Sequence, residues 1–181
     1  SVFWDAEGCA GATGYYLSPD PRIVIFFNDV SPHILMSNRE SNVPDSYRPM
    51  KRAIYVPAGT PLWTSFTSFH RFSHVDIHLH KDRLMKYLVP SVGGPVALSA
   101  LRKPVEIQDT RAVETLASLL VDELANPIRH AAYAESLVDS IVAGLLDLRD
   151  GQDDNQLNAR LTQAQMNKLI SVVNARAGRR M

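Results

Sequence analysis

Hydrophobic and polar positions along the chain follow two different periods, and the change between them lies near residue 109. Before it, short runs of β-branched and aromatic residues are separated by segments rich in proline, glycine and asparagine. The runs include RIVIFF, AIYV, LWTSFTSF and SHVDIHLH, and the segments between them include SPDP, PAGTP and VGGP. Short strands between such turns are typical of antiparallel sheets. Residues 1 to 108 are therefore predicted to form an antiparallel β-barrel or sandwich.

From Asp109 onward the apolar residues recur at helical spacing, in two stripes. The first stripe ends at Asn126 and Pro127, because proline cannot continue a helix. The first contains Val113, Leu116, Ala117, Leu120 and Leu124, and the second contains Tyr133, Leu137, Val138, Ile141, Leu145 and Leu148. Two amphipathic helices joined by a short turn predict an antiparallel helix pair over residues 109 to 150. The predicted fold class is therefore α+β.

The last part of the chain is predicted to begin a further domain. The segment GQDDNQLNA is polar, as interdomain linkers are, and we expect a linker over residues 151 to 160. Thr162 and Gln165 then have the spacing of a helix capping box. A stripe of apolar residues follows them: Met166, Leu169, Ile170 and Val173. Such a stripe must be buried against a partner, so residues 161 to 181 are predicted to be the first helix of another domain.

Charge and composition narrow the class of partners. The 181 residues contain 19 Lys and Arg and 19 Asp and Glu, so the net charge of zero gives no reason to expect nucleic acid or an anionic membrane. Residues 160 to 181 nevertheless carry five basic side chains and no acidic one. The single cysteine, Cys9, excludes an internal disulfide framework. The longest apolar runs are far shorter than the about 20 residues that a membrane span needs. A cytoplasmic protein without a membrane partner is predicted.

The order of these parts resembles the AraC-type family of bacterial transcription regulators. The stretch MKRAIYVPAGTPLW is similar to the proline-glycine turn of the family's cupin-like barrel, and LTQAQMNKLISVVNARAG is similar to the opening helix of its DNA-binding domain. The resemblance implies a cupin-like barrel that senses a small-molecule effector and a helix pair that forms a homodimer. It implies DNA binding only in the full-length protein, because both recognition helices are absent here. Neither an enzymatic activity nor a cofactor is predicted.

The richest chemical segment is FHRFSHVDIHLH, residues 69 to 80. His74, Asp76, His78 and His80 alternate with apolar residues, so their side chains project from one face of a strand. This face has three interpretations: the wall of an effector pocket, a solvated surface, or a metal site with His74, His78 and His80 as ligands. Zinc, iron and nickel accept imidazole ligands, so a small metal-dependent cupin enzyme is the alternative function. Metallocupins, however, continue with a nearby glutamate, whereas KDRLMKY follows here.

Aromatic side chains near this strand are candidates for the apolar part of an effector pocket, because Trp and Tyr stack on flat ligands and also offer a polar group. The predicted ligand-binding set is His74, Asp76, His78, Trp63, Tyr55 and Phe66. No catalytic residue is predicted, since no serine lies in a G-x-S-x-G turn. The glycines at positions 8, 11 and 14 predict a flexible entry segment before the first strand.

The predicted helices carry more apolar residues than one buried face requires. An uncovered apolar patch of more than a few hundred Å² is unusual on a monomer, so a second chain is expected to cover it. A symmetric dimer also suits a regulator that places two DNA-binding domains on paired half-sites. The predicted dimer interface contains Leu116, Leu120, Leu124, Ile141, Leu145 and Leu146.

Overall fold

The computed structural model describes residues 1 to 39, 46 to 146 and 148. The described residues form nine strands and four helices. The strands are β1 (Val2–Gly8), β2 (Thr13–Tyr16), β3 (Arg22–Phe26), β4 (Ile34–Ser37), β5 (Arg48–Pro49), β6 (Ala53–Val56), β7 (Leu62–Phe66), β8 (His70–His78) and β9 (Val105–Ile107). The helices are α1 (Lys81–Val92), α2 (Gly94–Arg102), α3 (Arg111–Ala125) and α4 (Ala131–Leu145).

The strands form two antiparallel sheets that pack against each other. Sheet A has the order β1-β8-β3-β6-β9, and sheet B has the order β2-β7-β4-β5. In the central pair of sheet A, Ile23 lies opposite Ile77 and Ile25 opposite Val75, so β-branched side chains meet across the strands. The predicted α+β class with antiparallel sheets is confirmed, and the two sheets are not closed into a barrel.

The central strands of sheet A are buried on both faces. The odd-numbered apolar positions of β3, β6 and β8 pack in a helix-side core, which contains Ile23, Ile25, Ala53, Tyr55, Val75 and Ile77. Even-numbered positions contribute to an inter-sheet core with residues of sheet B, which contains Val24, Phe26, Ile34, Met36, Ile54, Val56 and Leu62. A strand buried on both faces has few polar positions, which explains the apolar runs IVIFF and AIYV.

Two helices that were not predicted from the sequence lie between the strand β8 and the strand β9. In α1 the buried residues Leu84 and Leu88 are four positions apart, as the face of a helix requires. Gly93 separates α1 from α2 with a φ of 82°, a left-handed conformation that favours glycine. Both helices contribute to the helix-side core.

The two helices predicted from the apolar stripes are present as α3 and α4. Glu123, which is buried near the end of α3, fixes the turn between them. Its carboxylate accepts the backbone N–H groups of Ile128 at 3.1 Å and Arg129 at 2.9 Å. The Arg129 guanidinium donates to the same carboxylate at 3.0 Å. A buried charge is therefore paired and hydrogen-bonded where the chain reverses.

Polar contacts also join the helices to sheet A. The Tyr55 hydroxyl on β6 donates a buried hydrogen bond to the Leu101 carbonyl of α2 at 2.9 Å. The Arg52 guanidinium donates to the Phe27 carbonyl at 3.2 Å and to the Glu114 carboxylate of α3 at 3.0 Å. These bonds fix α2 and α3 against the sheet.

Two predicted parts lie outside the described residues: the linker over residues 151 to 160 and the first helix of a DNA-binding domain over residues 161 to 181. Within the described ranges, no helix combines the length and the apolar character needed to cross a membrane.

Candidate ligand-binding site

A cavity of about 300 Å³ lies in the inter-sheet core, lined by residues of β3, β6 and β8 of sheet A and of β2, β4 and β7 of sheet B. Most of its wall is apolar and includes Val24, Phe26, Ile34, Ile54, Leu62 and Phe66. Small-molecule sites are typically cavities of this kind, about 300 to 1,000 Å³ in volume, with a few polar groups that orient the ligand. The cavity is the candidate ligand-binding site.

One end of the cavity holds a buried ion pair. The Arg22 Nε donates to the Asp76 Oδ1 at 2.6 Å, and the Arg22 Nη2 lies 2.5 Å from the Asp76 Oδ2. The guanidinium also lies over the ring of Tyr16, 4.1 Å from its centroid. His78 is half-exposed, and its Nε2 lies 3.6 Å from the Asp76 Oδ2. The bidentate pair therefore neutralises both charges at this end of the cavity.

Two polar atoms on the cavity wall have no hydrogen-bond partner among the described residues: the Nδ1 of His74 and the hydroxyl oxygen of Tyr16. Burial lowers the pKa of His74 below its ordinary value of 6.5, although the nearby Asp76 opposes this shift. The imidazole is therefore neutral at pH 7, and each ring nitrogen can donate or accept according to the tautomer. An unsatisfied buried polar atom costs about 1 to 3 kcal/mol, so a ligand that supplies the missing bond is favoured.

Thr64 adds a hydroxyl group to the wall, opposite Gly14 in the register of β7 and β2. A Cβ atom at position 14 would lie 2.6 Å from the Thr64 Oγ1, which is closer than real Cβ contacts allow. The glycine therefore permits the close approach of β2 at this point. It also leaves this part of the wall without a second side chain.

The predicted ligand-binding residues are divided between the cavity and other places. His74 and Phe66 line the cavity, Asp76 is the partner of Arg22, and His78 lies at the outer side of that pair. Tyr55 points to the opposite face of sheet A, where its hydroxyl bonds to the Leu101 carbonyl. Trp63 lies on the outer face of sheet B and packs against Tyr15, with ring centroids 4.9 Å apart. Neither Tyr55 nor Trp63 lines the cavity.

The three histidines that the metal-site interpretation requires as ligands are not brought together. His74 points into the inter-sheet core, His78 is half-exposed, and His80 lies beyond the strand, where its Nδ1 is 3.6 Å from the Asp20 carboxylate. In the part of the chain that the structure describes, no group of three His, Cys, Asp or Glu side chains is arranged to hold a metal ion.

Most of the predicted dimer interface is covered by the chain itself. Leu120, Ile141, Leu145 and Leu146 are buried in the helix-side core, and Leu116 packs against it. Of the six predicted residues, only Leu124 is exposed. Sheet A and the helices α1 and α2 belong to the same core as these residues, and helical periodicity alone cannot assign an apolar position to one partner.

Tyr16, Arg22 and Thr64 belong to the site but were not predicted. Arg22 begins the run RIVIFF, and alternation along a strand places it on the same face as Val24 and Phe26. That signal was present in the sequence. Its partner Asp76, however, lies 54 residues away, and only the pairing of β3 with β8 brings the two side chains together.

A larger open pocket, about 600 Å³ in volume, lies beside β1 and is lined by residues that include Glu7 and Arg71. These two side chains pair with each other at 3.0 Å and are both largely exposed. Exposed ion pairs contribute little energy, and water already solvates both partners. This pocket is larger than the inter-sheet cavity, but its charged pair is exposed to water, whereas the unpartnered atoms of His74 and Tyr16 are buried.

Comparison with known proteins does not assign this site. No protein-family model matches the sequence, and no curated protein matches it either. The residues of the cavity are therefore the basis for assigning a function.

Proposed function

We propose that this chain is the ligand-sensing and dimerisation region of an AraC-type bacterial transcription regulator. In this proposal the two sheets form a cupin-like sandwich in a cytoplasmic protein, a small-molecule effector binds between them, and DNA is bound by a domain beyond this chain. The observation that carries the proposal is the inter-sheet cavity, whose apolar wall contains two buried polar atoms without a partner among the described residues. Such a cavity lowers the stability of the core, but it is the usual form of a site that binds a small molecule.

The position of sheet A supports a sensing role. Its strands form one wall of the cavity and, on the other face, the floor of the helix-side core. His74 lines the cavity and Asp76 pairs with Arg22, which also lines it, whereas Val75 between them packs on the helix side. A ligand that shifts β8 therefore also changes the surface on which the helices pack, because packed cores are not continuously deformable.

A substitution that fills the cavity tests the binding site. Thr64→Trp places a large side chain in the cavity, whereas Ser65→Trp on the same strand points to the opposite face. A thermal-shift screen is expected to find a stabilising compound, because a ligand at a hundredfold excess over its Kd stabilises the folded state by about 2.7 kcal/mol. Thr64→Trp should abolish that stabilisation and Ser65→Trp should retain it. Equal stabilisation of both variants would place the ligand elsewhere.

The sequence encoded after Met181 tests the proposed assignment to the regulator family. We expect about 80 further residues with two helix-turn-helix patterns. A different following domain would contradict the assignment and leave the cavity unaffected. A stoichiometric, tightly bound zinc, iron or nickel ion in the purified protein would instead favour the metal-dependent cupin enzyme.

The proposed homodimer needs exposed helix residues. Leu119 and Leu124 on α3 and Ile128 after it are exposed apolar side chains. Glutamate at Leu124 or Ile128 is expected to convert a dimer to a monomer in sedimentation experiments without unfolding the chain. Glutamate at the buried Leu120 would disrupt the core instead, so it cannot test the interface. A wild-type chain that sediments as a monomer at micromolar concentration would contradict the homodimer.

A further inference from the structure

The charges around the inter-sheet cavity balance each other. Arg22 is the one charged residue among the described side chains that line the cavity, and its guanidinium makes a bidentate contact with the buried carboxylate of Asp76. Both side chains are largely removed from solvent. The cavity therefore offers no unpaired cation to an anionic ligand and no unpaired anion to a cationic one.

The groups that do lack a partner are neutral. The Tyr16 hydroxyl and the neutral imidazole of His74 each accept or donate one hydrogen bond without a change of charge. Both belong to the end of the cavity near Asp76: Tyr16 lies against Arg22, and His74 is two positions before Asp76 on β8. Apart from the Thr64 hydroxyl, the other walls are mostly aliphatic or aromatic, and the centroid of the His74 ring lies 5.3 Å from that of Phe26 and 5.7 Å from that of Phe72.

A buried carboxylate in this cavity would have to share the Arg22 guanidinium with Asp76, which leaves a net negative charge among two carboxylates and one cation and is unfavourable in a medium of low dielectric constant. A ligand covered with hydroxyl groups would leave most of them against apolar side chains, without hydrogen bonds. An apolar molecule with one neutral polar end avoids both costs and supplies the bonds that His74 and Tyr16 lack.

We propose that the ligand of this cavity is an uncharged, largely apolar small molecule whose single hydroxyl or carbonyl end bonds to His74 and Tyr16. The inference rests on the proposed function of the cavity and specifies the chemical class of its ligand. The size of the cavity suits a compact ring system, because its volume is at the lower end of the range for small-molecule sites.

Three probes with the same ring system separate the possibilities: 2-naphthol, 2-naphthoate and naphthalene. Calorimetric titration of the whole chain at pH 7.5 is expected to show 2-naphthol binding about tenfold more tightly than either of the others, which corresponds to one net hydrogen bond. Tyr16→Phe removes only a hydroxyl group and should reduce the affinity for 2-naphthol several-fold, with no change for naphthalene. Tyr87→Phe, at an exposed ring on α1 that does not line the cavity, is the matched control and should change neither.

Tighter binding of 2-naphthoate than of 2-naphthol would overturn the inference. An affinity for 2-naphthol that is unchanged in both Tyr16→Phe and His74→Phe would also overturn it. If the screen has found a ligand that Thr64→Trp abolishes and none of the three probes binds, the ligand class is wrong while the cavity remains a binding site. If no compound depends on the cavity in that screen, the proposed function itself fails, and the two failures are thereby distinguished.

Discussion

The two faces of sheet A belong to the same strands but have different chemistry. On the helix side, Tyr55 is buried and its hydroxyl bonds to the Leu101 carbonyl. On the inter-sheet side, where sheet A faces sheet B, the hydroxyl of Tyr16 on β2 is buried but has no partner among the described residues, and a cavity lies beside it. The comparison indicates that the helix-side core is the more completely packed and hydrogen-bonded at this residue type, whereas the inter-sheet core contains a cavity, which we propose as the binding site.

Truncation of matched isoleucines should show the largest difference between the faces. Ile77 packs on the helix side and Ile54 lines the cavity, and each is only 1% exposed. Ile77→Ala should lower the free energy of unfolding by about 4 kcal/mol and Ile54→Ala by about 2 kcal/mol. The reason is that Ile54 already borders empty space and has fewer packing contacts to lose. Urea unfolding measures both values, and equal losses would contradict the difference in packing.

Removal of one ion-pair partner at the cavity should have the next largest effect. Arg22→Met leaves the buried carboxylate of Asp76 without its cation and is expected to cost about 3 kcal/mol. The exposed pair of Arg71 and Glu7 is the control, and Arg71→Met should cost less than about 1 kcal/mol. Adding Asp76→Leu to Arg22→Met should recover most of the loss. If Arg22→Met lowers the free energy of unfolding no more than Arg71→Met does, water solvates the pair of Arg22 and Asp76 more than its burial indicates.

Two tyrosine substitutions compare the two cores directly. Tyr55→Phe leaves the buried Leu101 carbonyl without its donor and should cost about 1 to 2 kcal/mol. Tyr16→Phe removes a hydroxyl that has no partner in the described part of the chain, so its effect should stay within about 0.5 kcal/mol. Thermal and urea unfolding give both values. A large loss for Tyr16→Phe would reveal a bond that stabilises the ligand-free protein.

The pH dependence of the free energy of unfolding should reveal the buried imidazole of His74. This is the smallest of the four expected effects. Because burial lowers the pKa of His74, the unfolded chain binds a proton more readily than the folded chain between that lowered pKa and 6.5. This contribution to stability is complete above pH 6.5 and is lost as the pH falls. Burial also lowers the pKa of His70. The test is therefore to compare the wild type with His74→Phe, each measured for the loss in free energy of unfolding between pH 7.5 and pH 5.5. An identical loss in both proteins would contradict a neutral, buried His74.

Local periodicity in the sequence was sufficient for several elements but not for α1, although its buried Leu84 and Leu88 also have helical spacing. The apolar stripes predicted α3 and α4, and the alternation of FHRFSHVDIHLH predicted that His74 and Asp76 share one face of a strand. The runs RIVIFF, AIYV and LWTSFTSF correspond to strands in the two sheets. Local pattern is informative here because α3 and α4 each have one buried stripe, and the strands are runs of β-branched and aromatic residues between turn segments.

Features that depend on long-range pairing were not accessible from the sequence. The segment around the first glycines was predicted to be flexible, but it contains β1 and β2, whose strand character comes from pairing with β8 and β7. Tyr55 and Trp63 were placed in the pocket because aromatic residues suit ligands. Which face each ring occupies follows from the sheet that its strand joins, and single-sequence alternation cannot distinguish two buried faces.

The most direct test of the binding site is methyl NMR of the chain titrated with the most stabilising compound from the thermal-shift screen. The isoleucine methyl groups report separately on the two faces, since Ile34 and Ile54 line the cavity whereas Ile77 and Ile141 belong to the helix-side core. We expect intermolecular NOEs from the ligand to Ile34 and Ile54 and none to Ile77 or Ile141. NOEs to Ile77 or Ile141, with none to Ile34 or Ile54, would contradict ligand binding between the sheets.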